Sequence, residues 1–184
     1  LTAFRVYLQG DELLRSHRVD VDWNTTLRDQ GAFGLNFYLD ERDFMNAQNK
    51  TGGFVGVGLS RNIVFPKNGL FLSYKTNFEH FYAHSPIETY IKRTFDLSTR
   101  KALNNSTFAT TSVNYTNKDY KQKDPFLGLR NDNSINIRFG LTKIINLCWN
   151  ADMGVSFSSN KSSIGLYARS NEGLTFKFNY LCTE

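Results

Sequence analysis

The sequence predicts an all-β protein, an antiparallel meander closed into a barrel of about 8–12 strands. Aromatic residues make up 15% of the 184 residues against only three prolines, a composition typical of strands and turns. Between residues 134 and 182, apolar and polar side chains alternate with a period of two, as they do along strands. The polar breaks in this region are short, as in antiparallel hairpins. Because no linker interrupts the pattern, we expect a single domain over residues 1–184.

Apolar alternation marks the predicted strands in chain order. The segments that carry it are residues 2–8, 19–23, 33–39, 54–59, 70–82, 89–97, 107–115, 135–141, 153–157, 164–168 and 174–180. The strongest turn signal is the Asn68-Gly69 pair, since both residue types tolerate the positive φ angles of tight turns. Residues 40–53 and 117–133 are charged and lack the period, so they are predicted as long exposed loops.

The same alternation fits two architectures. In a membrane barrel the apolar face points outward to lipid, whereas in a β-sandwich or jelly roll the apolar faces of two sheets meet in a dry core. Residues 134–145 form a segment close to the ~9–11 residues that cross a bilayer when tilted. Small residues fill its polar phase, and Trp149 and Tyr180 lie at predicted strand ends, where membrane barrels place aromatic residues. These features favour the barrel, with the sandwich as the alternative.

Two segments near the end of the chain carry a resemblance. Residues 135–157 end one strand on Gly-Leu-Thr-Lys and begin the next on Asn-Ala-Asp-Met-Gly-Val-Ser-Phe, and residues 173–180 read Gly-Leu-Thr-Phe-Lys-Phe-Asn-Tyr. They resemble the closing strands of small bacterial outer-membrane β-barrel proteins. The resemblance implies a bacterial outer membrane location with the lipid bilayer as a partner, whereas the sandwich alternative implies a secreted or cell-surface protein.

The leading functional hypothesis is a non-enzymatic outer-membrane barrel whose long loops, residues 40–53 and 117–133, bind a ligand, a protein partner or a neighbouring subunit. The second loop intersperses aromatic and basic side chains, and its candidate binding residues are Lys118, Tyr120, Lys121, Lys123 and Phe126. Nucleic acid is not expected, because Asp119 and Asp124 interrupt the basic residues. The alternative function is a β-sandwich domain that binds a receptor or a glycan.

A third and weaker hypothesis is a barrel lipid hydrolase. One segment contains a base, a nucleophile and an orienting carboxylate, in His80, His84, Ser85 and Glu88. On a strand, however, the adjacent His84 and Ser85 point to opposite faces. The two histidines lie four residues apart, which suits a metal only on a helix, and Pro86 argues against a helix. We therefore expect neither catalysis nor a metal or cofactor.

Charge and cysteine content add little to these hypotheses. The net charge of +5 arises from 22 basic and 17 acidic residues that are scattered along the chain, so it indicates an ordinary solvated surface. No apolar run approaches the ~18 residues that a spanning helix requires. Cys148 and Cys182 lack the spacing of metal ligands, and both a disulfide and two free thiols stay open as expectations.

Overall fold

The computed structural model describes residues 2–8, 11–27, 31–146 and 148–180, which form one antiparallel sheet. The ten strands are β1 (Thr2–Leu8), β2 (Asp11–Leu27), β3 (Gly31–Phe44), β4 (Gly52–Phe65), β5 (Leu70–Ala83), β6 (Tyr90–Asn104), β7 (Thr107–Asp124), β8 (Gly128–Ile144), β9 (Trp149–Ser162) and β10 (Arg169–Tyr180). Their spatial order follows the chain. The predictions of an all-β fold and a meander are confirmed, and the ten strands lie within the predicted range of about 8–12.

The outer strands of the sheet are β1 and β10. In the part of the chain that the structure describes, β1 pairs only with β2 and β10 only with β9. The sheet is therefore open, and the predicted closure into a barrel is not seen. All ten strands belong to this sheet, so the described residues do not form the two packed sheets of a sandwich or jelly roll. No helix in these ranges is long and apolar enough to cross a membrane.

The two predicted long loops contain strand to different extents, with residues 45–51 a true connection and most of residues 117–133 in strands. Strands β3 and β4 extend into residues 40–53 and leave a short connection with one 3-10 turn, Gln48–Lys50. Strands β7 and β8 extend into residues 117–133 and leave only residues 125–127 between them. The loop prediction is confirmed for residues 45–51 and was wrong for residues 40–44, 117–124 and 128–133, because these strand ends carry polar or aromatic side chains on both faces. That composition removes the period-two signal but leaves the backbone pairing intact.

Two hairpin connections test the turn predictions. The turn at Asn68-Gly69 is confirmed, since Gly69 ends a 3-10 turn with a φ of +57°. Residues 164–168 are not a strand, because they contain the 3-10 turn Gly165–Tyr167 that connects β9 to β10. An alternation over five residues is too short to distinguish a strand from a turn.

The two faces of the sheet differ sharply in polarity. Register pairing puts most exposed large apolar side chains on one face, here called the apolar face, and the alternate residues form the polar face. The apolar face presents Val19, Val21, Trp23, Phe37, Leu39, Val55, Leu59, Phe78, Phe95, Phe139, Met153, Val155, Phe157, Leu174, Phe176 and Phe178. Leu174 and Phe178 are each 73% exposed, so no described residue covers this face at β10.

The polar face is the inner side of a curved sheet. The rings of Phe54 on β4 and Tyr90 on β6 lie 6.3 Å apart, across the intervening β5. Strands two apart are separated by about 9.6 Å, so these rings lean towards each other. The buried side chains Tyr38, Phe81 and Asp40 also lie on this face, as on the inner side of a curved sheet. Tyr38 lies over Gly56 of the neighbouring strand, where a Cβ atom would overlap its ring. Glycine thus makes room for a large side chain inside the curve.

The apolar band crosses the apolar face diagonally. The end of the sheet where β3–β4, β5–β6, β7–β8 and β9–β10 connect is called the distal end here. One register row is apolar on β2–β5 and polar from β6 to β9, with Val21, Phe37, Val57 and Phe78 followed by Arg93, Asn117, Asn133 and Lys161. A second register row lies four residues further from the distal end. In that row β9 still carries the apolar Phe157, and the side chains become polar only at Glu172 of β10. The band edge therefore moves by about one residue per strand.

Cys148 lies just before β9, where its backbone N–H donates to the side-chain oxygen of Asn146 at 2.9 Å. It is disulfide-bonded. The other cysteine of the chain, Cys182, lies outside the described residues.

Candidate binding site at the distal end of the polar face

A row of aromatic rings crosses the polar face near the distal end. Phe54, Phe81, Tyr90 and Tyr120 are register partners on β4, β5, β6 and β7. Their successive ring centroids lie 4.3, 5.2 and 5.3 Å apart, within the range of favourable aromatic contacts. Phe81 is only 5% exposed. The row therefore packs as a small apolar cluster on an otherwise polar face.

Cationic side chains cover both ends of this aromatic row. The Arg42 guanidinium lies 4.4 Å from the Phe54 ring centroid at one end. At the other end, the Arg130 guanidinium lies 4.6 Å from the Tyr120 centroid and 3.6 Å from the Tyr167 centroid. Tyr167 belongs to the 3-10 turn between β9 and β10, so its contact with Arg130 folds that turn over the polar face. Such cation–π contacts favour a flat guanidinium between two rings.

Two carboxylates near the row are buried, and both are fully engaged. Asp40 accepts a hydrogen bond from Ser16 Oγ at 2.6 Å and forms a salt bridge with Arg42 at 2.7 Å. Asp132 accepts from Ser162 Oγ at 2.6 Å and forms a salt bridge with Arg130 at 2.6 Å. A buried carboxylate is tolerated when its oxygens accept several hydrogen bonds of this kind. These networks join β2 to β3 and β8 to β9.

Lys118 differs from the other cations of the cluster. Its register partner is Asp132, yet no salt bridge joins Lys118 to a carboxylate among the described residues, because Asp132 is engaged by Arg130 and Ser162. Its ammonium instead lies 5.1 Å from the Tyr90 ring centroid.

Burial shifts the pKa values of the neighbouring groups, all of which lie on the distal side of the apolar band. Burial, with a smaller contribution from Lys92, lowers the pKa of Lys118 below its ordinary value. Burial also raises the pKa of Tyr90 to about 12 and that of Tyr120 to about 12. Both tyrosines are therefore neutral at ordinary pH.

The residues predicted for binding separate into two groups. Lys118 and Tyr120 lie in the cluster on the polar face. Lys121 and Lys123 are exposed on the last part of β7 and take no part in the contacts of the cluster. Phe126 is 94% exposed in the connection between β7 and β8. The structure thus brings together only two of the five predicted residues.

The predicted catalytic residues do not assemble into a hydrolytic site. His80 lies on the apolar face, where its ring stacks on Tyr82 with centroids 3.8 Å apart. His84 and Ser85 are in the connection between β5 and β6, and the Glu88 N–H donates to the Ser85 carbonyl at 3.0 Å. Among the described residues no hydrogen bond links a histidine ring to the Ser85 hydroxyl, which a nucleophile and its base require.

The sequence interpretation missed several members of the cluster. They are Phe54, Phe81, Tyr90, Arg130, Asp132 and Tyr167. A usable signal was present for two of them, because Arg130 and Asp132 continue the polar phase of Ser134 and Asn136 towards the start of β8. The aromatic row had no local signal, since its members meet only through pairing of four strands.

The described residues contain no group of three or more His, Cys, Asp or Glu side chains that could hold a metal ion. Comparison with protein-family models, curated proteins and solved structures finds no match to this chain. The resemblance to small outer-membrane barrels therefore stays a prediction.

Proposed function

We propose that this chain is a non-enzymatic integral β-barrel of the bacterial outer membrane, with the apolar face against lipid and the polar face lining the lumen. The observation that carries the proposal is the diagonal band of exposed apolar side chains. Soluble monomeric proteins rarely expose a contiguous apolar patch of more than a few hundred Å². Here large apolar side chains are exposed on one face from β2 to β10.

The slope of the band agrees with the strand tilt of a barrel. A shift of one residue per strand is about 3.4 Å along the chain for each ~4.8 Å across the sheet, which corresponds to a tilt of about 35°. Membrane barrels have strand tilts of about 35–45°. A band perpendicular to the barrel axis crosses tilted strands at shifting positions, so this slope is expected when a flat lipid layer surrounds the molecule.

The height of the band also suits a membrane. Residues 19–27 of β2 carry the band over nine residues. At the tilt given above, nine residues span about 25 Å, which is the height of the apolar belt in outer-membrane barrels. Beyond the band, the face becomes polar and hydrogen-bonded, with Arg93 donating to Asn117 at 2.8 Å. Tyr180 and Trp149 lie at its other limit, with ring centroids 4.9 Å apart.

The proposal requires the free edge of β10 to find a partner strand. Backbone N–H and C=O groups within lipid must be hydrogen-bonded, so a spanning sheet cannot keep an open edge. We propose that β10 closes the sheet against its opposite edge in the membrane. The aromatic and ionic cluster then lies in the lumen at one mouth, where it narrows the opening and forms the ligand-contacting surface.

The test uses the two tryptophans, because both lie on the apolar face. Trp23 and Trp149 are 55% and 43% exposed. In vesicles of brominated phosphatidylcholine, we expect quenching of both emissions relative to unbrominated vesicles, with the variants Trp23→Phe and Trp149→Phe assigning each contribution. Iodide in the aqueous phase should quench weakly. The proposal is contradicted if the chain stays monomeric in detergent-free buffer and the brominated lipid does not quench its tryptophan emission.

A further inference from the structure

A pocket lies beside the aromatic cluster, between β7, β8, β9 and the turn that contains Tyr167. Its volume is about 440 Å³. The charged and aromatic side chains that line it are Lys118, Arg130, Asp132, Tyr167 and Arg169. The Asn160 side-chain amide donates to the Tyr167 carbonyl at 2.6 Å and holds the turn over the pocket. The pocket therefore has a wall built by tertiary contacts.

The pocket has an excess of positive charge. Three of its lining side chains are cationic and one is a carboxylate. Asp132 is neutralised by Arg130, whose Nε and Nη2 atoms lie 2.9 and 2.6 Å from the same carboxylate oxygen. Its other oxygen accepts from Ser162. The ammonium of Lys118 and the guanidinium of Arg169 are then left without a carboxylate in the described residues.

The partial burial of Lys118 disfavours its charge in the absence of a counter-ion. Its pKa is lowered by burial, which means that the surroundings disfavour the ammonium form. An anion in the pocket would offset this penalty and would accept hydrogen bonds from Lys118. Arg169 lies at the exposed start of β10 and lines the same pocket. Two cations that line one pocket and are unpaired among the described residues suit an anion that accepts several hydrogen bonds.

We propose that this pocket binds an oxyanion, a phosphate group, with Lys118 and Arg169 as its cationic ligands and Arg130 held in place by Asp132 and Tyr167. The phosphate is either free or part of a lipid headgroup, since both present the same oxygens. The inference does not depend on the membrane assignment, because β7, β8, β9, the following turn and the first residue of β10 form the pocket in the chain as described.

The test is a titration of the full chain, in buffer or in a maltoside detergent, with inorganic phosphate followed by isothermal calorimetry. We expect the Lys118→Gln and Arg169→Gln variants each to weaken binding by about tenfold or more, because each removes a charge-assisted hydrogen bond. Lys123→Gln is the matched control, since Lys123 is exposed on the same strand outside the pocket. Its affinity should stay within about twofold of the parent.

A second arm distinguishes the two sources of phosphate. Binding to phosphatidylcholine vesicles is measured with and without phosphatidylglycerol. If inorganic phosphate binds, and the Lys118 and Arg169 variants weaken this binding, the ligand is a free anion. If these variants weaken binding only to vesicles that contain phosphatidylglycerol, the ligand is a lipid headgroup. The absence of any binding that depends on Lys118 or Arg169 overturns the proposal. Arg169 is exposed, so its variant keeps the test valid if Lys118→Gln fails to fold. The tryptophan quenching is read separately, so the membrane proposal and the pocket proposal fail independently.

Discussion

At the scale of single residues, the polar face is held together by a few side chains with several partners each. Asp40 is 3% exposed and connects Ser16 on β2 to Arg42 on β3. Arg42 also lies over the Phe54 ring, so the same guanidinium serves an ion pair and the aromatic row. Loss of the Asp40 charge therefore affects two strands and the end of the cluster.

We expect Asp40→Asn to lower the free energy of unfolding by about 1–3 kcal/mol, because the buried charge-assisted bond to Arg42 is lost. The measurement is urea unfolding followed by tryptophan fluorescence. Asp22→Asn is the control, since Asp22 on the neighbouring strand β2 accepts from Asn36 of β3 at 2.7 Å in an exposed position. This control should change stability by less than about 0.5 kcal/mol. Equal effects of the two variants would argue against a special role for Asp40.

At the scale of elements, the β7–β8 hairpin differs most from the sequence prediction. Continuous pairing of the two strands extends past Asn117 as far as Asp119, which lies opposite Asn131. After an irregularity, pairing resumes with Lys123 opposite Leu129. Amphipathic alternation identifies a strand only where one face is apolar, and this hairpin extends past the apolar band. The same reason applies to residues 40–44 of β3. The sequence therefore predicted the central parts of strands well and their polar ends poorly.

Hydrogen exchange tests the extent of this hairpin. We expect amides in residues 131–133 to exchange at least about a hundredfold more slowly than those in residues 125–127, because residues 131–133 pair with β7, whereas the Phe126 and Leu127 amides donate only to the Asp124 side chain of their own turn. Mass spectrometry of overlapping peptides measures the difference. Residues 107–115, in the central part of β7, serve as the protected reference. Uniformly fast exchange over residues 117–133 would restore the loop interpretation.

At the scale of the whole molecule, the apolar band and the curled polar face belong together. A sheet that curls towards its polar face has no interior in which to bury its apolar face, so the described residues leave that face exposed. The inward side chains pair with one another, as Lys92 does with Glu79 at 2.9 Å. This inversion of the usual arrangement is what the lipid-facing proposal explains.

A charge placed within the band and one placed just outside it should have different effects in a bilayer. We expect Val155→Arg on β9 to lower the free energy of unfolding in vesicles by about 2–4 kcal/mol, because the guanidinium must enter hydrocarbon. Glu172 lies on the same face of the adjacent strand β10, beyond the band. Glu172→Arg should therefore lower the free energy of unfolding by less than about 1 kcal/mol. Reversible urea unfolding from vesicles measures both. Comparable small effects would indicate that water surrounds the band.

The sequence by itself determined the strand class, the meander and the polarity of the two faces, because alternation is a local property of neighbouring residues. Tertiary structure alone decided the register, and with it the diagonal of the band and the composition of the cluster. The Arg130 guanidinium lies 3.6 Å from the Tyr167 ring centroid, although 36 residues lie between the two in the chain. Such contacts depend on how strands pair and how the sheet curls, and these properties arise from many distant pairs acting together.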